Sequence, residues 1–181
     1  MYQIDLLVKE HENIIAFTEY LRKLCCLVID GADIDIKEFH ECIDFARTYA
    51  DAYHHGKEEQ ILFPAMLEKL GSVAEKMVRN GMLVEHDLGR YHIKGLETAL
   101  AQYAEEPSTK GKLNIIAHTA GYADLLGRHI EKENAVCFNY ALRELPEDCK
   151  VLLDEQTKVF EENAEKDGVR EKYLSWLEKR R

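Results

Sequence analysis

Apolar residues recur every three or four positions along nearly the whole chain, the spacing of α-helices that bury one face. Ile4, Leu7, His11, Ile14, Thr18, Leu21 and Cys25 form one such stripe. Phe39, Ile43, Ala46, Ala50, His54, Glu58 and Ile61 form the next. No segment shows strand-like alternation. Only three prolines are present, at 64, 107 and 146, so long helices fit between them. The breakers Asp30-Gly31, Gly71-Ser72, Pro107-Ser108 and Pro146 divide the chain into four long helical segments, about 4–28, 35–70, 72–103 and 108–145. Two weaker stretches follow, about 147–163 and 168–179, split by Asp167-Gly168. Asp33 or Asp35 is positioned to cap the second segment. Ser72 with Glu75 reads as a capping box for the third. Pro64 should kink the second segment or divide off its last piece. The pattern predicts an all-α, up-down-up-down four-helix bundle over residues 1–145. Residues 146–181 are expected as a C-terminal helical extension packed on the same domain, with Trp176 and Leu177 on its apolar side.

A chain of 181 residues suits one well-buried core. The net charge of −10 argues against a nucleic-acid partner, which needs basic patches, and suits a cation ligand. No apolar run approaches the roughly 20 residues that span a bilayer. The opening MYQIDLLVKEHE has no basic-then-apolar leader pattern, so the expected location is cytoplasmic. Five cysteines, an odd number with no CxxC pair, read as reduced thiols.

The histidines carry the chemistry. His54 and Glu58 are four apart on the second segment, and His129 and Glu133 are four apart on the fourth, so each pair points one way from its helix. His11 and His86 add an imidazole each from the other two segments. Their heights agree. His11 lies about 21 residues before the turn near 32 and His54 about 22 after it. His54 and His86 flank the turn near 71 by about 17 and 15 residues. His86 and His129 flank the one near 107 by about 21 and 22. At about 1.5 Å per residue the mismatches come to a few Å. One histidine from each helix and two carboxylates should therefore meet in one layer. Six such ligands crowd one ion but suit two, bridged by Glu58 and Glu133. Imidazole and carboxylate ligands suit iron.

The segments HHGKEEQILFP (54–64), VEHDLGR (84–90) and RHIEKEN (128–134), with KEH at 9–11, resemble the hemerythrin-like, or HHE cation-binding, family. The resemblance covers about residues 1–145. It implies a non-haem site of two iron ions, zinc or manganese being the alternative occupants, and carries over to His11, His54, Glu58, His86, His129 and Glu133. The family spacing prefers His54 with Glu58, and the register His55 with Glu59 stays open. The pattern departs from the oxygen-carrying hemerythrins. Arg90 stands where they have a second third-helix histidine, and HxxxE replaces their HxxxxD. It is closer to the iron-sulfur repair and iron-sensing relatives, although the repair proteins usually carry an extra N-terminal domain, which is not expected here. The expected partner is a small ligand such as O2, NO or peroxide, which the protein binds, senses or reacts with, or else it senses or stores iron. The alternatives are an enzyme of NO or peroxide reduction or of iron-sulfur repair, and a bundle with a purely structural metal.

Tyr122 and His118, nearly in phase with His129, are candidates to line the approach to the metals, with a core tyrosine and a buried bundle-end histidine as the simpler alternative. Tyr122 is also a candidate ligand. His40 and His92 fall off the ligand phase and are expected at the surface or boundary. Lys57 and Glu59 should face solvent or stand behind the ligands. Arg90, one turn from His86, is placed to pair with a bridging carboxylate.

Overall fold

The computed structural model describes residues 1–181, which form six helices and no strand. Helix α1 spans Tyr2–Ile29. Helix α2 starts at Ile36, where the Asp35 carboxylate accepts the Glu38 N–H at 3.0 Å, and continues to Lys69. Its middle is wound in wide π-type turns over Ala46–His55 and Glu58–Leu62. Pro64 lies two residues past these turns, in the first turn of the closing α-helical piece Phe63–Lys69, where its missing N–H costs little. Helix α3 runs through Gly71–Met77, a π turn at Val78–Met82, and Leu83–Glu105. Helix α4 runs through Thr109–Lys132, a π turn at Glu133–Cys137, and Phe138–Glu144, and the Ser108 hydroxyl caps its start. The extension forms α5, Glu147–Lys166, and α6, Val169–Glu178, hinged at Gly168 with φ +65°.

The capping box expected at Ser72 does not form. Gly71 takes the left-handed conformation at φ +64° and restarts the helix directly after Leu70. Ser72 therefore falls inside the first turn instead of ahead of it, and no side chain caps this end.

Helix α4 packs on both α1 and α3, and α2 packs on α3, which closes the four-helix bundle. Its interior is layered. A larger apolar cluster holds Phe17, Leu21, Phe39, Phe45, Leu100 and Leu126. A smaller one holds Leu7, Leu62, Phe63, Met66, Val78 and Phe138. Each large side chain buried this way stabilises the fold by roughly 1.5–3 kcal/mol relative to exposure. Between the clusters lies a polar layer of buried His and Glu side chains. Helix α6 closes the larger cluster with Tyr173 and Leu177, and Trp176 packs against Phe45 at 5.3 Å between ring centroids. All five cysteines are free thiols. No helix is long and apolar enough to cross a membrane.

Candidate metal centre

Two groups of side chains converge in the polar layer. One is His55, Glu58, His86 and His129; the other is His11, His54, Glu58 and Glu133. In each group, potential ligand atoms all lie within 4.8 Å of one another, and every residue is buried. The two carboxylates span both groups. Glu58 turns Oε1 to His54 at 3.8 Å and Oε2 to His86 at 3.6 Å. Glu133 Oε2 lies 3.2 Å from both His11 and His129, and its Oε1 lies 3.9 Å from His86. The structure thus brings all six sequence-predicted residues into one layer.

It also brings in a seventh, His55. His54 and His55 compete for one inward position only if the helix is ideal, since neighbours on an α-helix diverge by more than a quarter turn. The π turns around them widen the helix locally, a feature that recurs at functional sites. Both rings therefore face the layer, and His55 stacks on His86 at 3.7 Å between centroids. Glu59, the acid of the alternative register, points elsewhere and accepts from His86 Nδ1 at 2.7 Å.

The imidazoles are held from behind in a closed ring. On each of the four helices, a residue next to a cluster residue reaches the histidine of the following helix. Glu10 of α1 takes His54 Nδ1 of α2 at 2.8 Å. Glu59 of α2 takes His86 of α3, and Glu85 of α3 takes His129 of α4 at 3.0 Å. Asn134 of α4 takes His11 of α1 at 2.8 Å, completing the circuit. His55 is the exception, held at 3.2 Å by Asp51 of its own helix. Each acceptor takes the Nδ1 hydrogen, so a neutral ring turns a bare Nε2 lone pair inward.

That orientation leaves the centre unsatisfied on its own. The Nε2 atoms of His86 and His129 face each other at 3.1 Å, which sets two lone pairs together when both rings are neutral. Nε2 of His11 and of His54, and all four oxygens of Glu58 and Glu133, are buried without a hydrogen-bond partner. Buried polar atoms this crowded are rare unless something binds them. The electrostatics agree. Burial, with Glu133 beside it, pushes Glu58 well above the usual carboxylate range. Burial also acts on Glu133, but His129 and His11 outweigh it and hold that carboxyl well below the range. Burial pushes His129 down, yet Glu133 and Glu85 carry it up to about 9. A proton there stands in for a cation. The donor set, five imidazoles and two carboxylates, fits a pair of divalent transition-metal ions.

Beside this layer a cavity of about 230 Å³ opens between α2, α3 and α4, with His55, His86, Gly89, Arg90 and Tyr122 in its wall. Tyr122 thus lines the approach, and burial raises its phenol far above the usual range. His118 does not. It packs with His92 on the α3–α4 face, where a Cβ at Gly95 would come within 2.2 Å of its ring. Arg90 pairs with Asp51 and Glu59, both at 2.7 Å, and with Asp87, and not with either shared carboxylate. Glu58 and Glu133 are sealed inside the bundle, whereas Arg90 sits at the rim, half exposed. Lys57, for which solvent was one expectation, is completely buried. It lies behind the ligand layer, with its ammonium against Glu10.

Some of these supports leave a trace in the sequence. The dipeptide Glu-His occurs at 10–11 and at 85–86, and in both cases the Glu serves a histidine on the next helix. The chain alone shows the repeat but not the crossing.

Comparison with the curated proteins and with the solved structures found no match. The family model described as hemerythrin HHE cation binding domain matches residues 3–141, the bundle except Tyr2 and the last three residues of α4. The buried His and Glu groups lie within that span, and the chain belongs to the hemerythrin HHE cation-binding family.

Proposed function

We propose that the polar layer holds two iron ions, and that the loaded protein binds a diatomic gas or peroxide as a sensor or binding protein. The observation that carries this reading is the inward set of Nε2 lone pairs and unpartnered carboxylate oxygens, every one buried. His55, His86 and His129 would hold one ion, and His11 and His54 the other, with Glu58 and Glu133 shared. Bound iron supplies redox electrons and open coordination positions for a small ligand. The chain supplies the rest. The ring of Nδ1 hydrogen bonds fixes the imidazole planes and raises their basicity. The apolar clusters on either side keep bulk water out of the layer. The cavity is smaller than the roughly 300–1,000 Å³ typical of drug-sized ligand pockets, so it suits a ligand of a few atoms.

Anaerobic reconstitution with ferrous iron, followed by metal analysis and absorption spectroscopy, tests the reading. Two irons per chain are expected, matching the two groups, with a visible spectrum that shifts on adding NO. Iron bound at well under one per chain would sink the two-iron assignment. Steady-state turnover of NO or peroxide would replace binding with catalysis.

A further inference from the structure

All four carboxylates behind the histidines are gripped by a cation: Glu59 and Asp51 by Arg90, Glu85 by Lys132 and Glu10 by Lys57. Arg90 and Lys132 have side chains 40% and 50% exposed, so water completes their solvation. The Lys57 side chain is 0% exposed. A buried ammonium has three N–H donors to satisfy, so one partner leaves it under-satisfied. The second comes from α5, where Glu161 Oε1 accepts from Lys57 Nζ at 2.8 Å. The other oxygen of Glu161 accepts the Tyr53 hydroxyl at 2.7 Å, and the Tyr53 ring lies under the ammonium at 3.4 Å. A continuous chain therefore runs from His54 through Glu10 and Lys57 to Glu161.

Glu161 lies outside the family-matched residues 3–141. The same helix also touches the ligand-bearing turn directly. Between His55 and Lys57, the Phe160 ring packs over Gly56, where an added Cβ would sit in ordinary contact with it at 3.4 Å. Elsewhere, Asp154 of α5 caps the start of α1 through Tyr2 N and Gln3 N at 3.0 and 2.9 Å, without touching this chain of contacts.

We infer that Glu161 is a positioning residue for the metal centre, so that the C-terminal extension sets the affinity of the half built on His54. The inference rests on the two-ion reading above. With Glu161 neutral, Glu10 becomes the sole anion on a buried ammonium. It is then drawn toward Lys57 and away from His54 Nδ1, which loosens the imidazole that faces the metal. By linkage, metal binding must tighten the docking of α5 by the same factor.

The test uses the full chain, with ferrous affinity measured anaerobically by chelator competition and hydrogen exchange followed over residues 147–166 with and without iron. Glu161→Gln should weaken iron binding about tenfold, the low end of the ~10–100-fold for losing the partner directly behind a ligand, because Glu161 acts through Glu10. It should also abolish the iron-dependent protection of α5. Glu161→Asp, which keeps the charge, should recover part of both effects. Asp154→Asn, which loosens the extension elsewhere, should leave affinity within about twofold of wild type. Equal affinity in wild type and Glu161→Gln overturns the inference while the two-ion reading stands. So does an equal loss in Asp154→Asn, which would mean that any loosening of α5 suffices. A wild-type chain that binds no iron removes the reading and the inference together.

Discussion

The two halves of the ligand layer use the same side-chain chemistry and are supported in opposite ways. The half with His55, His86 and His129 adjoins the cavity, and the cations behind it, Arg90 and Lys132, reach solvent. His11 and His54, of the other half, are buried and do not line this cavity. They are held by Asn134 and by Glu10, and Glu10 is fixed by a buried lysine and a glutamate from the extension. One half is tuned by water, salt and small solutes, the other by packing. On the proposed two-ion reading, the open half would take the small ligand and the sealed half would keep the ions together. The shared carboxylates Glu58 and Glu133 tie the halves into one unit.

The harshest way to break the comparison is to remove what the halves share. Glu58→Ala deletes a carboxylate from both groups. Iron affinity should fall beyond the ~10–100-fold typical of losing a supporting partner, with the stoichiometry collapsing in metal analysis. Retention of two ions would show that Glu133 alone bridges them. His55→Ala separates the halves. It removes one ligand from the open side only, so iron should drop to about one per chain, and the NO-induced spectral shift should vanish. If the shift survives in His55→Ala, the ligand reaches the centre by another route.

The bundle was legible from the chain because apolar spacing, three prolines and a few glycines constrain helices strongly. The six-residue layer was legible because heights along antiparallel helices can be counted. His55 was legible only as a rival to His54 and not as its companion, because counting assumes 3.6 residues per turn and the ligand-bearing turn of α2 is π-wound. Lys57 was hidden for a related reason. A lysine beside two acids reads as surface until a distant helix supplies Glu161 to bury it. Arg90 was placed near the right site but on the wrong partners, since its height is readable and its depth is not.

A gentler test strips one exposed support. Arg90→Gln leaves Glu59 and Asp51 without their cation on the open side. An exposed ion pair contributes ~0.2–1 kcal/mol, so iron affinity should fall by roughly 1.5–5-fold. The difference from wild type should shrink in about 1 M salt, where screening acts over ~3 Å. The Glu161→Gln defect should persist there, because its ion pair is buried. Equal salt sensitivity of the two variants would erase the contrast between open and sealed supports.

The smallest effect asks which part of the extension supports the sealed half. Helix α6 has its own anchor, far along the chain from Glu161: Arg180 binds Glu38 at 2.5 and 3.0 Å and Glu41 at 2.5 Å. The Arg180 guanidinium, with the Tyr20 hydroxyl, holds the Glu38 carboxyl below its ordinary 4.5 against the upward push of burial. A carboxyl with a depressed folded value stabilises the fold fully above 4.5, and that contribution is lost as pH falls through the folded value. Protection factors in residues 169–178, taken relative to the intrinsic exchange rate at each pH, should therefore fall below about pH 4.5, and Glu38→Gln should show the lower protection already at neutral pH, with little further change between pH 7 and pH 4. The expected loss is about 1 kcal/mol or less, because the pair is only partly buried. If Glu161 alone carries the support, iron affinity of Glu38→Gln at pH 7 should match wild type. An affinity loss there would mean that α5 and α6 hold the sealed half as one body.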